Sequence, residues 1–300
     1  MNQLPFDKPG RFWRGNLHTH STASDGRLSP EAVCQFYQQH GYDFVAITDH
    51  FLDHYGFPIT DTRPYRTATF TTLLGAELHT PATESGLLWH ILAVGLPPHF
   101  AETHPEESGP ALAARALAAG AYVAAAHPAW YNLSQAEVLT LGPVHAIETY
   151  NATSADFNDR PDSWYTLDLL LERGYRYLAC ATDDAHFKPG RWDAPRGWVQ
   201  VKSEMLDPDA LLAALKAGHY YSSTGPLIHD IQVIPGHKVY VRCSPASRIF
   251  ATGRNYEAAS AHGAGITEAE LDITHFSAPY VRVTVRDDVE RRAWSNPIWF

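Results

Sequence analysis

The segment Gly15-Asn16-Leu17-His18-Thr19-His20 carries two histidines two positions apart. In an extended strand, side chains two apart point to the same side. Two imidazoles on one face form half of a metal site, and Asp25 in the following loop can fold back beside them. The same residue types recur where apolar runs begin or end. Phe44 to Ile47 leads to His50, and Thr72 to Ala76 leads to Glu77. His90 lies near the start of Trp89 to Val94, and Tyr122 to Ala126 leads to His127. Tyr177 to Ala181 leads to Asp183, Asp184 and His186. Imidazole with carboxylate suits zinc, manganese or iron. The nine residues His18, His20, Asp25, His50, Glu77, His90, His127, Asp183 and His186 are too many for one ion. They suit two or three divalent ions, with Glu77 bridging a pair.

Such a set needs a scaffold that gathers strand ends. Ser29-Pro30-Glu31 opens a helix, with Ser29 as N-cap and Pro30 in its first turn. Val33, Phe36 and Tyr37 repeat at helical spacing, and Gly41 stops the run. Ala111 to Ala119, Pro161 to Arg173 and Pro208 to Ala217 read as further helices between apolar strands. Alternating helices and apolar strands predict a parallel sheet covered by helices. In a closed α/β barrel the C-terminal strand ends share one face, where barrel active sites lie. Seven or eight such units fit between residues 12 and 220.

Beyond residue 225 the pattern changes. Ile228 to Ile234, Val239 to Cys243 and Tyr280 to Arg286 alternate polar and apolar residues, separated by turns. This predicts a barrel over residues 1–224 and a small antiparallel β domain over residues 225–300. Thr267 to Leu271 is at most one short helix.

The formal net charge of −10 argues against binding a nucleic-acid polymer. Cys34, Cys180 and Cys243 are far apart and odd in number, so a reducing, cytoplasmic setting fits. Met1 to Arg14 is polar and lacks an apolar signal core. The longest weakly apolar run, Ala111 to Ala126, is broken by Arg115 and Gly120, and no membrane span is expected.

Six segments occur in a fixed order: His18-Thr-His20, Thr48-Asp49-His50, Gly75-Ala76-Glu77, His90-Ile-Leu, His127-Pro128 and Thr182-Asp183-Asp184-Ala185-His186. Together they resemble the PHP (polymerase and histidinol phosphatase) family over roughly residues 12 to 220. The resemblance implies an α/β fold, a distorted (β/α)7 TIM-like barrel, with a trinuclear metal centre. It assigns His18, His20, Glu77 and Asp183 to one metal, and Glu77, His90 and His127 to a second. Asp25, His50 and His186 would hold the third, with Asp at position 25 as in the nucleotide-phosphatase-like branch. The tail Trp294-Ser-Asn-Pro-Ile-Trp-Phe300 looks like the CehA/McbA branch, whose members include aryl carbamate hydrolases.

The activity so implied is metal-dependent hydrolysis of a small phosphate ester by a metal-bridging hydroxide. The alternative is a carboxylic or carbamate ester hydrolase with the same centre. Asp183 would place the hydroxide. His79 shares strand parity with Glu77 and is expected either as a proton donor or as a solvated loop residue. Lys188, Arg191 and Arg196 would clamp the substrate anion. Asp49 and Asp184 are expected behind the ligands, orienting imidazoles. An ester substrate would instead need an apolar pocket, for which Phe51, Tyr55, Phe57 and Trp130-Tyr131 are candidates.

Overall fold

The computed structural model describes residues 4–300. The first part of the chain contains β1 (Arg11–Asn16), α1 (Pro30–Gln39), β2 (Phe44–Ile47), β3 (His50–Phe51), β4 (Thr71–Thr80) and β5 (Trp89–Val94). It continues with α2 (Gly109–Ala118), β6 (Tyr122–Ala125), α3 (Gln135–Thr140), β7 (Ala146–Asn151), α4 (Ala152–Phe157), α5 (Trp164–Glu172) and β8 (Leu178–Thr182). Then come β9 (Trp198–Ser203), α6 (Pro208–Lys216) and β10 (Tyr220–Ser223). The remainder is all strand: β11 (Ile228–Ile234), β12 (Lys238–Thr252), β13 (Ala258–Asp272), β14 (Tyr280–Arg286), β15 (Arg292–Ser295) and β16 (Ile298–Trp299).

The helix starts follow local chemistry. Ser29 Oγ accepts from the Ala32 amide at the start of α1, and Asp207 caps α6 in the same way. Their apolar stripes meet the sheet: Val33 and Tyr37 pack with Val45 and Ile47, while Leu211 and Leu215 pack with Val199 and Val201. The run expected as one helix from Pro161 to Arg173 begins only at Trp164, after a separate short helix α4.

The sheet is mixed, not parallel throughout, and among the described residues its α/β portion is not closed by a ladder. β1, β2 and β4 are parallel neighbours, as are β6, β7 and β8. β5 runs antiparallel to both β4 and β6. The cause is the connection: no helix separates β4 from β5, and a parallel pair needs a long crossover that residues 81–88 do not supply. β9 runs antiparallel to β1, so the regular βα alternation ends at β8. The open side is spanned by one parallel bridge, Thr19 to Ala185, beside the histidines.

The boundary expected near residue 225 falls in the loop between β10 and β11. Hydrogen bonding does not stop there: β10 pairs with β9 on one side and β15 on the other, and β15 pairs with β14. The short helix expected over Thr267 to Leu271 is part of β13, where Ala269 and Leu271 alternate inward onto Val239 and Val241. Among the described residues no helix is long and apolar enough to cross a membrane.

Gly15 shows how tightly β1 is seated. A Cβ there would lie 2.1 Å from the ring of Phe44, a fully buried side chain on the neighbouring strand. Gly15→Ala is expected to destabilise the fold by about 3 kcal/mol, the upper range for overpacking a core. Chemical denaturation that finds the variant as stable as the parent would disprove this packing argument.

Candidate metal centre

Six imidazoles surround one buried carboxylate. Glu77 lies on β4 with His50 of β3 directly opposite in parallel register. His79, two residues on, faces His90 of β5 in antiparallel register. Residues opposite and two apart share a face, so Glu77, His50, His79 and His90 all point into one space. The antiparallel direction of β5 is why His90 sits at the start of its strand, not at the end. Glu77 Oε1 lies 2.8 Å from His90 Nδ1 and 3.0 Å from His127 Nε2. Oε2 lies 2.7 Å from His50 Nδ1, 3.3 Å from His79 Nε2, 3.7 Å from His18 Nε2 and 3.8 Å from His20 Nε2. Burial pushes the Glu77 carboxyl up, but His90, His79 and His50 and the His127 hydrogen bond outweigh it and hold the group well below its usual range.

A second carboxylate, Asp184, completes the inner face. Its Oδ1 is 2.8 Å from His20 Nε2 and 3.2 Å from His18 Nε2. Asp183, expected as both ligand and catalytic residue, points away. Asp183 Oδ1 accepts from the amides of Arg196 and Gly197, and its Oδ2 accepts from the Tyr37 hydroxyl at 2.9 Å. Burial pushes the Asp183 carboxyl up to about 7. The backbone explains the exchange: Asp184 has φ of +54°, and this left-handed residue turns the second aspartate of the pair inward. The assignment of Asp183 is therefore corrected to Asp184, which was expected behind the ligands.

The third carboxylate, Asp25, sits at the mouth. Its Oδ1 lies 3.3 Å from His50 Nε2 and 3.2 Å from His186 Nε2. Burial raises its pKa, yet the bonds from His186, His50 and Lys188 hold it well below the usual range. The free nitrogens follow from what the opposite ring nitrogens touch. His186 Nδ1 lies 2.8 Å from the Asp184 carbonyl, which can only accept, so its Nε2 faces the cluster as a lone pair when the ring is neutral. His79 Nδ1 likewise meets the Trp89 carbonyl at 3.1 Å. Its Nε2 then accepts from His50 Nδ1 at 2.8 Å, which leaves His50 Nε2 toward Asp25. His79 is buried and outside the pocket lining, so the expected proton-donor role is replaced by orienting His50.

The protons do not satisfy this cluster. Rings of His20 and His50, and of His20 and His186, are 4.2 Å apart. Burial, with His186 and His50 nearby, pulls His20 down to about 3. Burial lowers His50 too, but Glu77 and Asp25 drive it up to about 10. His18 Nε2, His20 Nδ1, Asp25 Oδ1, Glu77 Oε2 and His127 Nδ1 are buried without a hydrogen-bond partner. Buried polar atoms left unpaired are costly, and of these His18 Nε2, Asp25 Oδ1 and Glu77 Oε2 face the cluster. Three groups have ligand atoms within 4.8 Å of one another and share few members: His20, Asp25, His50 and His186; Glu77, His90 and His127; and His18, His127 and Asp184. His18, His20 and Glu77 form a further overlapping group. The donor set fits divalent cations.

Glu148 is the residue that sequence reasoning missed. It is fully buried on β7 and accepts from His18 Nδ1 at 2.9 Å, the His127 amide at 2.7 Å, Asn151 Nδ2 at 3.0 Å and the Thr182 hydroxyl. It follows the apolar pair that opens β7, lies behind the inward-facing groups and fixes His18 by its outer nitrogen. Asp193 does similar work by accepting from the His186 amide at 2.8 Å. Asp49, expected to orient an imidazole, instead accepts from Ser21, Ser24 and Thr60 and shapes the loop carrying Asp25.

The pocket over these residues is about 260 Å³, walled by Trp130, Phe157, Thr153, Lys188 and Arg191. Lys188 is committed to Asp25 at 2.6 Å. Arg191 lies over the Phe157 ring and 3.3 Å from Asp156. Arg196 is not in this pocket; it stacks on Trp192 and lines a different cleft, so its expected substrate role is corrected. Of the aromatic candidates, Trp130 reaches the pocket, and Phe51 and Tyr131 belong to the core.

No family model and no curated protein matches the chain. Among solved structures, it is similar to a two-domain protein containing a predicted PHP-like metal-dependent phosphoesterase from Bacteroides vulgatus. The two are 14% identical, the match covers 95% of this chain and 92% of that one, and the TM-score is 0.53. It is also similar, at 16% identity and a TM-score of 0.45, to an amidohydrolase from Chromobacterium violaceum with bound sulfate and no metal. That match covers 59% of this chain and 88% of the other. The first likeness spans both the α/β part and the β part, and at this identity it speaks to the fold.

Proposed function

We propose that the chain is a metal-dependent phosphoesterase that hydrolyses a small phosphate ester. The observation that carries the reading is the convergence of seven histidines and three carboxylates under one small pocket with an arginine in its wall. The resemblance of the ordered motifs and the shared fold point the same way. Divalent ions held there would supply Lewis acidity and make water nucleophilic near neutral pH.

The chain's own residues divide the remaining work. His20, Asp25, His50 and His186 would hold one ion at the mouth; Glu77, His90 and His127 would hold a second. His18 and Asp184, with His20 or His127, would hold a third, so the number is two or three and manganese, zinc or iron all fit the donors. Glu148 and His79 keep His18 and His50 in the right tautomer. Arg191 faces the entering anion and neutralises charge beyond the metals. Trp130 and Phe157, with ring centroids 5.0 Å apart, give an apolar wall for the organic part of the substrate.

That aromatic wall also favours the second reading, an aryl carboxylic or carbamate ester hydrolase with the same centre, as the resemblance of the tail to the CehA/McbA branch implies. The two differ in charge. Arg191→Gln is expected to lower turnover of 4-nitrophenyl phosphate about a hundredfold, the loss typical of one transition-state contact, and to leave 4-nitrophenyl acetate nearly untouched. Metal-reconstituted protein that cleaves the acetate or an aryl carbamate and no phosphoester would replace the first reading by the second.

A further inference from the structure

We infer that the cleft between the 187–197 loop, β9 and the turn before β15 is a second ligand site, separate from the metal pocket, for a small planar aromatic anion. The cleft is about 780 Å³ and is lined by four arginines, Arg14, Arg196, Arg291 and Arg292. On a chain with ten more acidic than basic side chains, this is a local inversion of charge. Two carboxylates share the lining, Asp162 and Glu290. Glu290 is paired with Arg286 at 2.9 Å, and Asp162 accepts from the Trp164 amide at 2.7 Å. Arg291 is taken by Asp287 at 2.8 Å. The backbone amides of Arg14 and Arg196 donate to Asp43 and Asp183, but among the described residues their guanidinium groups and that of Arg292 form no ion pair; Arg14 Nη1 and Arg196 Nη1 reach only the carbonyls of His40 and Trp192. Arginines collected without acidic partners favour an anion, and their planar forks favour carboxylate or phosphate.

The ring preference comes from the aromatic walls. Trp192 is 68% exposed, a large apolar surface left in water at the cleft edge. Tyr150 and Trp294 also line it, with ring centroids 6.1 Å apart. Trp198, more than nine-tenths buried, lines the cleft with Arg14 stacked 3.7 Å over its ring. Its indole N–H and the Nε of Arg14 are buried donors without an acceptor. Donors of this kind are rarely left unmatched in a finished site.

The cleft and the metal pocket share a wall. Arg191 and Asp193 face the metal pocket, whereas Trp192 and Arg196 face the cleft. The experiment is calorimetric titration of the metal-loaded protein with 2-naphthoate, a planar anion without a scissile ester, and with neutral 2-naphthamide. Saturable binding of naphthoate is expected, with naphthamide at least about tenfold weaker, as the loss of a charge-assisted contact predicts. Arg196→Gln/Arg292→Gln should weaken naphthoate about tenfold or more at unchanged melting temperature, and Arg191→Gln should bind as the parent does. Arg292→Gln alone serves if the double variant does not fold. No saturable binding, equal binding of the amide, or loss of binding in Arg191→Gln but not in the cleft variants would each overturn the inference, the last by moving the ligand to the metal pocket.

Discussion

Glu77→Gln is expected to lose the ion placed between Glu77, His90 and His127 and to lower turnover on the order of a thousandfold. Both oxygens of Glu77 are in use: one faces His90 and His127, and the other faces His50, His79, His18 and His20. Glutamine keeps the shape, removes the charge and turns an NH2 group toward nitrogens that should present lone pairs. The group formed by His20, Asp25, His50 and His186 does not include Glu77. The group of His18, His127 and Asp184 does not include it either, so elemental analysis should find about one ion fewer per chain than in the parent. Full metal content with parental turnover would refute the central role of this carboxylate.

The second large effect separates two neighbours. Asp184→Asn is expected to reduce turnover about a hundredfold or more, because it removes the charge facing His18 and His20. Asp183→Asn should keep metal content and stay within about threefold of parental turnover, since its carboxylate is spent on Tyr37 and two backbone amides. An asparagine can still accept from an amide there, and its NH2 can donate to the Tyr37 oxygen, so stability should fall by only about 1 kcal/mol. Steady-state kinetics of the two variants side by side decides the matter. The opposite ranking would restore Asp183 as the ligand.

That pair also marks where reading residues from sequence succeeds and stops. The His-x-His segment, Glu77, His90, His127 and His186 were legible because strand periodicity and strand ends put them on one face. The choice between two adjacent aspartates was not, because it turns on a single positive φ at Asp184. Glu148 had the right type after an apolar run, but nothing in one sequence separates a ligand from the group that holds it. Lys188 and Arg196 were grouped by nearness in sequence; the first is neutralised by Asp25, and the second faces the other side of its loop. The direction of β5 was hidden in a connection whose length, not its composition, forbids a crossover. β13 was misread because Thr267 to Leu271 is rich in Glu, Ala and Leu, good helix formers, although its alternation belongs to a strand.

The continuous ladder from β9 through β10 and β15 to β14 has a bearing on how the molecule is made. β10 is complete in sequence long before its second neighbour exists. Asn296 donates to the carbonyls of Gly218 and Tyr220 and accepts from the Ala179 amide, 117 residues upstream. Ala179 lies on β8, the strand that delivers Asp184 and His186. During synthesis the edge of β10 therefore stays open until residues 292–296 have emerged, and the strand bearing the last ligands lacks its clamp for the same interval. A nascent chain in that state exposes an unpaired strand edge, the feature that recruits neighbouring chains into aggregates. Closure of the metal-binding face is thus timed to the arrival of a segment that contributes no ligand to it.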